Sequence, residues 1–229
     1  FITALSARYA EQPPEDRRPL DEAYAAATRE LVKQRPDDLD AAVFHAEAMM
    51  DLQPWDYYDA DLQPKGHTAE VVQVLESVMA RNPDHAGALH LYVHAVEASA
   101  DPQRGAVAAD RLRELIPGSG HLVHMPAHIY ARVGRWHDAV VANQTAIAAD
   151  NDYLATCGRN AKGVYPLGYV PHNPHFLWFA ASMEGASKVA QDAARQTAQR
   201  VNLPDLMRQT GFAGDRRDRL GDVTGADEN

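Results

Sequence analysis

Histidine is the residue type in this sequence whose spacing suggests chemistry. His121, His124 and His128 lie close together, and His90 and His94 form a second pair four residues apart. Residues three and four apart share one face of a helix, so a helical conformation would group these imidazoles. Two imidazoles one helical turn apart are close enough to bind one metal ion. The spacing therefore predicts a histidine-based metal site.

Neutral imidazole is a good ligand for transition metals, and we expect zinc, copper or iron at this site. The candidate metal ligands are His90, His94, His121, His124, His128, His172 and His175. Glu97 and Glu47 are candidate catalytic residues, since a carboxylate beside a metal can ligate it, orient a ring or act as general base to bound water. The sequence contains no His-Glu-x-x-His motif, so nothing in it favours a zinc protease.

The histidines recur because the sequence repeats itself. A shift of 34 residues superimposes Pro83 on Pro117, His90 on His124 and His94 on His128. Two further alignments need insertions, at about residues 53–67 and 151–171. These alignments superimpose Gly134 on Gly185, His121 on His172, His124 on His175, Val43 on His90 and Glu47 on His94. The repeats predict that the candidate ligands lie on equivalent faces of neighbouring helices.

A known repeat motif accounts for this period. The run Ala127-x-x-Tyr130-x-x-x-Gly134-x-Trp136-x-x-Ala139, followed by Ala146 and Asp150, resembles a tetratricopeptide repeat (TPR). The resemblance implies an all-α, right-handed solenoid of antiparallel helix hairpins, here with two inserted loops. It also implies that the first helix of each hairpin lines a concave groove, which the candidate ligands would face. The histidine-rich helices further resemble those of a bacterial TPR group without a settled activity.

The solenoid is predicted to be a single domain over residues 1–211. Its hairpins are expected at about residues 1–36, 38–81, 84–116, 119–150 and 172–201, followed by a polar, disordered tail over residues 212–229. The first insertion has no helical period and is interpreted as a loop that packs its aromatic side chains on the hairpin below it. A flap over one end of the groove is the alternative interpretation.

Two prolines complicate the predicted geometry. Pro126 lies between His124 and His128, and a proline either kinks a helix or begins one. A helix that begins at Pro126 would leave His121 and His124 on the preceding loop, from which they could still point into the groove. Pro174 suits the first turn of a helix, which would leave His172 outside that helix.

Composition narrows the classes of partner. The formal net charge is −10, which argues against nucleic acid and against an anionic membrane surface. No apolar run approaches the length of a membrane-spanning helix. Cys157 is the only cysteine, so neither an intrachain disulfide nor a cysteine-rich zinc site is expected. The chain opens on Phe1, which leaves open that it is part of a longer protein, and the cytoplasm is only slightly favoured as its compartment.

Three functions remain open at this point. The first is a TPR groove that binds a transition metal ion or small ligand, with a metal-dependent enzyme as its extension. The second is an interaction module that binds a peptide or partner segment in the same groove. The third is a structural segment of a larger assembly. The sequence does not decide between enzyme and binding protein.

Overall fold

The computed structural model describes residues 1–12, 14–157, 163 and 165–201, and these residues confirm the all-α class. The helices are α1 (Ile2–Ser6), α2 (Arg18–Gln34), α3 (Leu39–Asp51), α4 (Thr68–Arg81), α5 (Ala86–Val96), α6 (Ala106–Leu115), α7 (Gly120–His124), α8 (Pro126–Arg132), α9 (Trp136–Cys157), α10 (Val170–Glu184) and α11 (Ser187–Arg200). A 3₁₀ turn, Pro102–Gly105, precedes α6, and a π-helical turn, Tyr165–Tyr169, precedes α10. No helix in these ranges is long and apolar enough to cross a membrane.

The helices stack as successive hairpins. Each long helix packs against the one before it and the one after it, from α2 through α11. Helices α3, α5, α7, α8 and α10 also contact one another across hairpins, so they form one layer, which we call the inner layer. A continuous apolar core lies between the inner layer and the other helices, with Leu75, Leu89, Leu112 and Ile129 fully buried in it. The inner layer is therefore stabilised by burial of its back face, which packs on this core. Its opposite, front face is available for a functional site.

Close packing at one glycine sets the position of α7. Gly120, the first residue of α7, lies directly against α9. A Cβ atom at Gly120 would overlap the Asp150 carboxylate and stand 3.0 Å from the Ala146 carbonyl oxygen. Only glycine permits this approach, which fixes α7 and its histidines in their place within the inner layer.

Pro126 does not interrupt the course of the chain. Helices α7 and α8 meet at Met125, whose backbone angles (φ −49°, ψ −39°) remain right-handed helical. The amide of Met125 donates to the His121 carbonyl (3.0 Å), and that of His128 donates to the Met125 carbonyl (3.1 Å). The proline therefore removes its own amide donor but leaves His121, His124 and His128 on nearly continuous helix. A helix does begin at Pro126, but His121 and His124 lie on α7 and not on a loop before it.

Two predicted boundaries around the second insertion are also wrong. Helix α9 continues to Cys157, so residues 151–157 are helical rather than part of a loop. Helix α10 begins at Val170 and not at Pro174, which lies inside it. His172 is therefore a helical residue. Pro171 occupies the first turn, where a missing amide costs nothing, and this allows the earlier start. Residues 158–162 and 164 of this insertion lie outside the described residues.

The first insertion is non-helical over residues 53–67, as predicted. Tyr57 is buried, the Tyr58 hydroxyl donates to the Ala95 carbonyl (2.8 Å), and an isolated antiparallel bridge joins Tyr58 to Pro64. These contacts fasten the segment onto α5, so part of it packs on the hairpin as expected. Trp55 instead remains 69% exposed. The predicted tail over residues 212–229, and the predicted domain end at residue 211, lie outside the described residues.

Candidate metal centre

The structure gathers the candidate ligands into two neighbouring clusters. The first cluster is His90, His94 and His121, from α5 and α7; the second cluster is His124, His128 and His172, from α7, α8 and α10. In each cluster, one possible ligand atom from every residue lies within 4.8 Å of the others. Six of the seven candidate histidines therefore meet on the front face of the inner layer.

The second cluster is the more deeply buried of the two. His124 Nε2 and His128 Nε2 are 2.9 Å apart, and His124 has no exposed surface. The ring of His172 lies 4.7 Å from that of His124, centroid to centroid. Phe176, one turn after His172 on α10, packs its ring 5.1 Å from His124 and 4.9 Å from His128. The Phe176 ring thus closes one side of the cluster with an apolar wall.

Hydrogen bonds on the outer side of the second cluster determine which ring nitrogens carry protons. His124 Nδ1 lies 2.7 Å from the side-chain oxygen of Asn143, whose amide nitrogen donates to the Ala139 carbonyl (2.7 Å). His128 Nδ1 lies 2.6 Å from Glu97 Oε2. An amide oxygen and an ionised carboxylate only accept, so both Nδ1 atoms donate. In a neutral ring the lone pair is then on Nε2, the atom that faces the other histidine.

The first cluster has a similar short contact. His90 Nε2 and His121 Nε2 are 3.1 Å apart, and the rings of His90 and His94 are separated by 4.9 Å. His121 Nδ1 is buried without a hydrogen-bond partner among the described residues. A buried ring nitrogen without a partner loses its hydration on folding and gains nothing in return. It is therefore a candidate ligand atom in its own right.

Glu97 lies between the two clusters and contacts both. One carboxylate oxygen is 3.4 Å from His94 Nδ1, and the other is 2.6 Å from His128 Nδ1. Burial favours the neutral acid, but the hydrogen bonds from His128 and His94 outweigh it and lower the pKa of Glu97 to about 2. Glu97 is thus an anion at neutral pH, placed to orient one ring of each cluster.

Burial also sets the protonation of the histidines. It lowers the pKa of His90 to about 3 and those of His121 and His172 to about 4, with neighbouring imidazoles adding to the effect. For fully buried His124 the pKa falls well below its ordinary value for the same reasons. These four rings are therefore neutral at physiological pH, which is the form that ligates metals.

A buried polar network, which the sequence interpretation missed, fixes α7 and α10. The Tyr165 hydroxyl donates to Asp150 Oδ1 (2.8 Å) and accepts from the His121 amide (3.3 Å), while the Asn173 amide donates to Asp150 Oδ2 (2.7 Å). Asp150 and Asn143 both lie on the buried face of α9. The sequence signal that could have revealed this network is the presence of polar residues at core positions of a helix, because buried polar groups need hydrogen-bond partners.

Two candidates lie away from the clusters. His175 is exposed, and its ring packs against that of Trp178 at 5.8 Å. Glu47 belongs to the first hairpins: burial raises its pKa most, Asp51 raises it further and Arg8 lowers it. The structure therefore does not place His175 or Glu47 with the histidines of the two clusters.

The clusters are partly covered from solvent but open at one side. The ring of Trp55 stands edge-on to His94 at 5.2 Å, and Trp55 adopts a left-handed backbone (φ 63°) that L-residues rarely take. An open cleft of about 580 Å³ adjoins His128 and Glu97. Leu62, Arg132, Phe176 and Phe179 also line this cleft. A small molecule or peptide side chain in the cleft would reach the second cluster.

Comparison with known proteins identifies the fold. No protein-family model matches the sequence, and no curated protein does. The structure is similar to the crystal structure of MamA, a TPR-like protein, with a TM-score of 0.58 over 84% of this chain and 95% of that chain. The sequence identity is 12%, so the similarity shows the fold alone. Membership of a histidine-rich bacterial group stays a prediction, whereas the predicted architecture is confirmed: this chain is an all-α, TPR-like helical solenoid.

Proposed function

We propose that the groove of this TPR-like solenoid binds a transition metal ion at His124, His128 and His172. The observation that carries the proposal is the contact of 2.9 Å between His124 Nε2 and His128 Nε2. Asn143 and Glu97 each accept a hydrogen bond from the Nδ1 atom of one of these rings. When both rings are neutral, the lone pairs of the two Nε2 atoms therefore face each other. Such a pair is repulsive unless a cation lies between the two nitrogens.

A shared proton is the alternative to a metal ion. A proton would satisfy the His124 and His128 nitrogens, and the Glu97 carboxylate beside His128 would balance its charge. It would, however, leave the nearby nitrogen of His172 without a role. A transition metal uses all three nitrogens, and neutral imidazole suits zinc, copper and iron.

The surroundings of the cluster support the same conclusion. Metal-binding histidines generally donate their second ring nitrogen to a carboxylate or carbonyl oxygen, which fixes the ring and the tautomer. Asn143 and Glu97 provide these contacts for His124 and His128. Three protein ligands leave a coordination position for water or a ligand, and the cleft beside His128 gives access to it. A catalytic role for Glu97 at that position, and for Glu47, stays a prediction.

Binding of Co²⁺, used as a spectroscopic probe for zinc, tests the proposal. Protein prepared without a histidine tag and stripped with chelator should bind Co²⁺, and His172→Ala should weaken this binding about tenfold or more. His175→Ala is the matched control, because it removes an exposed histidine from the same helix. The proposal is wrong if the parent protein binds Co²⁺ no better than His172→Ala does.

The cleft supports a second candidate function, a module that binds a peptide in the groove. Its aromatic wall of Phe176 and Phe179, with Arg132 at the edge, offers apolar and charged contacts to an extended segment. A partner that stays bound to chelator-treated protein, and is lost from Phe179→Asp, would favour this function. If metal removal alone releases the same partner, peptide binding depends on the metal, and the groove has both functions.

A further inference from the structure

We infer that the groove holds two metal ions side by side, the second at His90, His94 and His121, and that Glu97 links the two sites. This inference deepens the proposed function and rests on it. The ligand class is the same, a divalent transition metal held by neutral imidazoles. What is new is a second site, with two of its three histidines on α5, and a carboxylate that serves both sites.

The first cluster has the features expected of a site in its own right. Its three histidines bring possible ligand atoms within 4.8 Å of one another, as in the second cluster. The two helices that supply them are fixed independently, since α5 is held by the core and α7 by the contact of Gly120 with α9. His121 Nδ1 is buried and, within the described residues, has no hydrogen-bond partner. An ion would give this nitrogen, otherwise without a partner, a role as a ligand.

The two clusters are adjacent but do not share a histidine. The rings of His94 and His128 lie 5.8 Å apart, and those of His121 and His124 lie 6.3 Å apart. His121 and His124 are three residues apart on one helix, so they point about 60° away from each other. This difference directs one ring to each cluster, which explains why a single helix contributes to both.

Glu97 provides the link between the sites. Each of its oxygens faces the Nδ1 atom of one histidine, His94 in the first cluster and His128 in the second. A carboxylate that accepts from a ligating imidazole orients the ring and raises its basicity. Glu97 acts through these rings and is therefore a positioning residue. Glutamine at this position has one acceptor oxygen and cannot accept from both rings without turning its amide donor toward one of them.

The experiment counts metal ions per chain. Tag-free protein is equilibrated with excess Zn²⁺, separated by gel filtration and analysed by elemental mass spectrometry. We expect two ions in the parent, one in His90→Ala, one in His172→Ala and none in the double variant. His175→Ala should retain two. Circular dichroism of every variant in chelator checks that the helices remain folded, and His90→Gln replaces His90→Ala if the latter does not fold.

Each other outcome overturns a stated part of the inference. One ion in the parent, kept by His90→Ala and lost by His172→Ala, overturns the second site and leaves the proposed function standing. Loss of all metal in either single variant shows one ion shared by both clusters, which also overturns the second site. No bound metal in the parent overturns the proposed function together with the inference.

Cu²⁺ and Glu97→Gln test the link. Two adjacent Cu²⁺ ions interact magnetically, so the parent should give a weaker or broadened electron paramagnetic resonance signal per ion than His90→Ala does. Glu97→Gln should lower the Zn²⁺ affinity of both sites, by about tenfold to a hundredfold each. Equal signals per ion, or an effect of Glu97→Gln on one site alone, would overturn the link between the two sites.

Discussion

Acid should destabilise the metal-free protein through its buried histidines. Burial, with added repulsion from nearby imidazoles, holds the pKa of His90 at about 3 and those of His121 and His172 at about 4, against an ordinary value of 6.5. Between these values the unfolded chain binds more protons than the folded chain. The free energy of unfolding must therefore fall as the pH is lowered through 6.5 toward 4.

The size of this effect follows from the same pKa values. Between about pH 7.5 and about pH 5.5, one histidine that stays neutral in the folded state removes about 1.4 kcal/mol of stability. The three histidines together remove up to about 4 kcal/mol, a large part of the total stability of about 5–15 kcal/mol that is typical of a domain. Buried carboxyl groups with raised pKa values, such as Asp150 and Glu47, act in the opposite direction.

Urea unfolding in the presence of chelator measures the loss of stability, and comparison of variants separates the histidines from the carboxyl groups. His90→Gln removes one titrating ring and keeps every carboxyl group, so its loss between the two pH values should be smaller by about 1.4 kcal/mol. The matched control is His175→Gln, which removes an exposed histidine from α10. An undiminished loss in His90→Gln would refute the argument that burial keeps this ring neutral.

Three further substitutions test the support of the site. Asn143→Leu leaves the buried His124 Nδ1–H without an acceptor, and should cost about 1–3 kcal/mol in urea unfolding and weaken Co²⁺ binding about tenfold or more in calorimetric titration. Gly120→Ala forces a methyl group against Asp150 and should cost about 1–3 kcal/mol in the same unfolding measurement, whereas Gly118→Ala, which meets open space, should change it by less than about 0.5 kcal/mol. Tyr165→Phe removes a donor to Asp150 and should cost about 1 kcal/mol; no measurable change would mean that this hydrogen bond is not formed in solution.

Local sequence signals predicted the regular part of the fold. The sequence predicted a helix hairpin at about residues 38–81 interrupted by an insertion, and the structure has helices Leu39–Asp51 and Thr68–Arg81 there. The same signal failed over residues 151–157 because most of these residues are exposed and show no apolar stripe. A helix that is already formed extends at little cost, so α9 continues past the point where its packing ends.

The histidine site was predictable along each helix and not between helices. The spacing of His90 from His94 and of His124 from His128 correctly placed each pair on one face. On α10 the repeat alignment put both His172 and His175 in the groove, but only His172 lies there. Residues three apart differ by about 60° around a helix, and Phe176, one turn after His172, packs against the cluster in place of His175. Such rotation depends on tertiary packing, which a single sequence does not specify.

The histidines of each cluster come from separate hairpins, and this has a mechanical consequence. Neighbouring units of a solenoid touch only each other, so bending or twisting the superhelix is accomplished by small changes at each junction. The imidazoles of α5, α7, α8 and α10 sit across these junctions. Their separations therefore vary with the curvature of the whole molecule, and any load that straightens the superhelix would pull the rings apart. A ligand bound to imidazoles from neighbouring hairpins would, conversely, resist straightening of the superhelix.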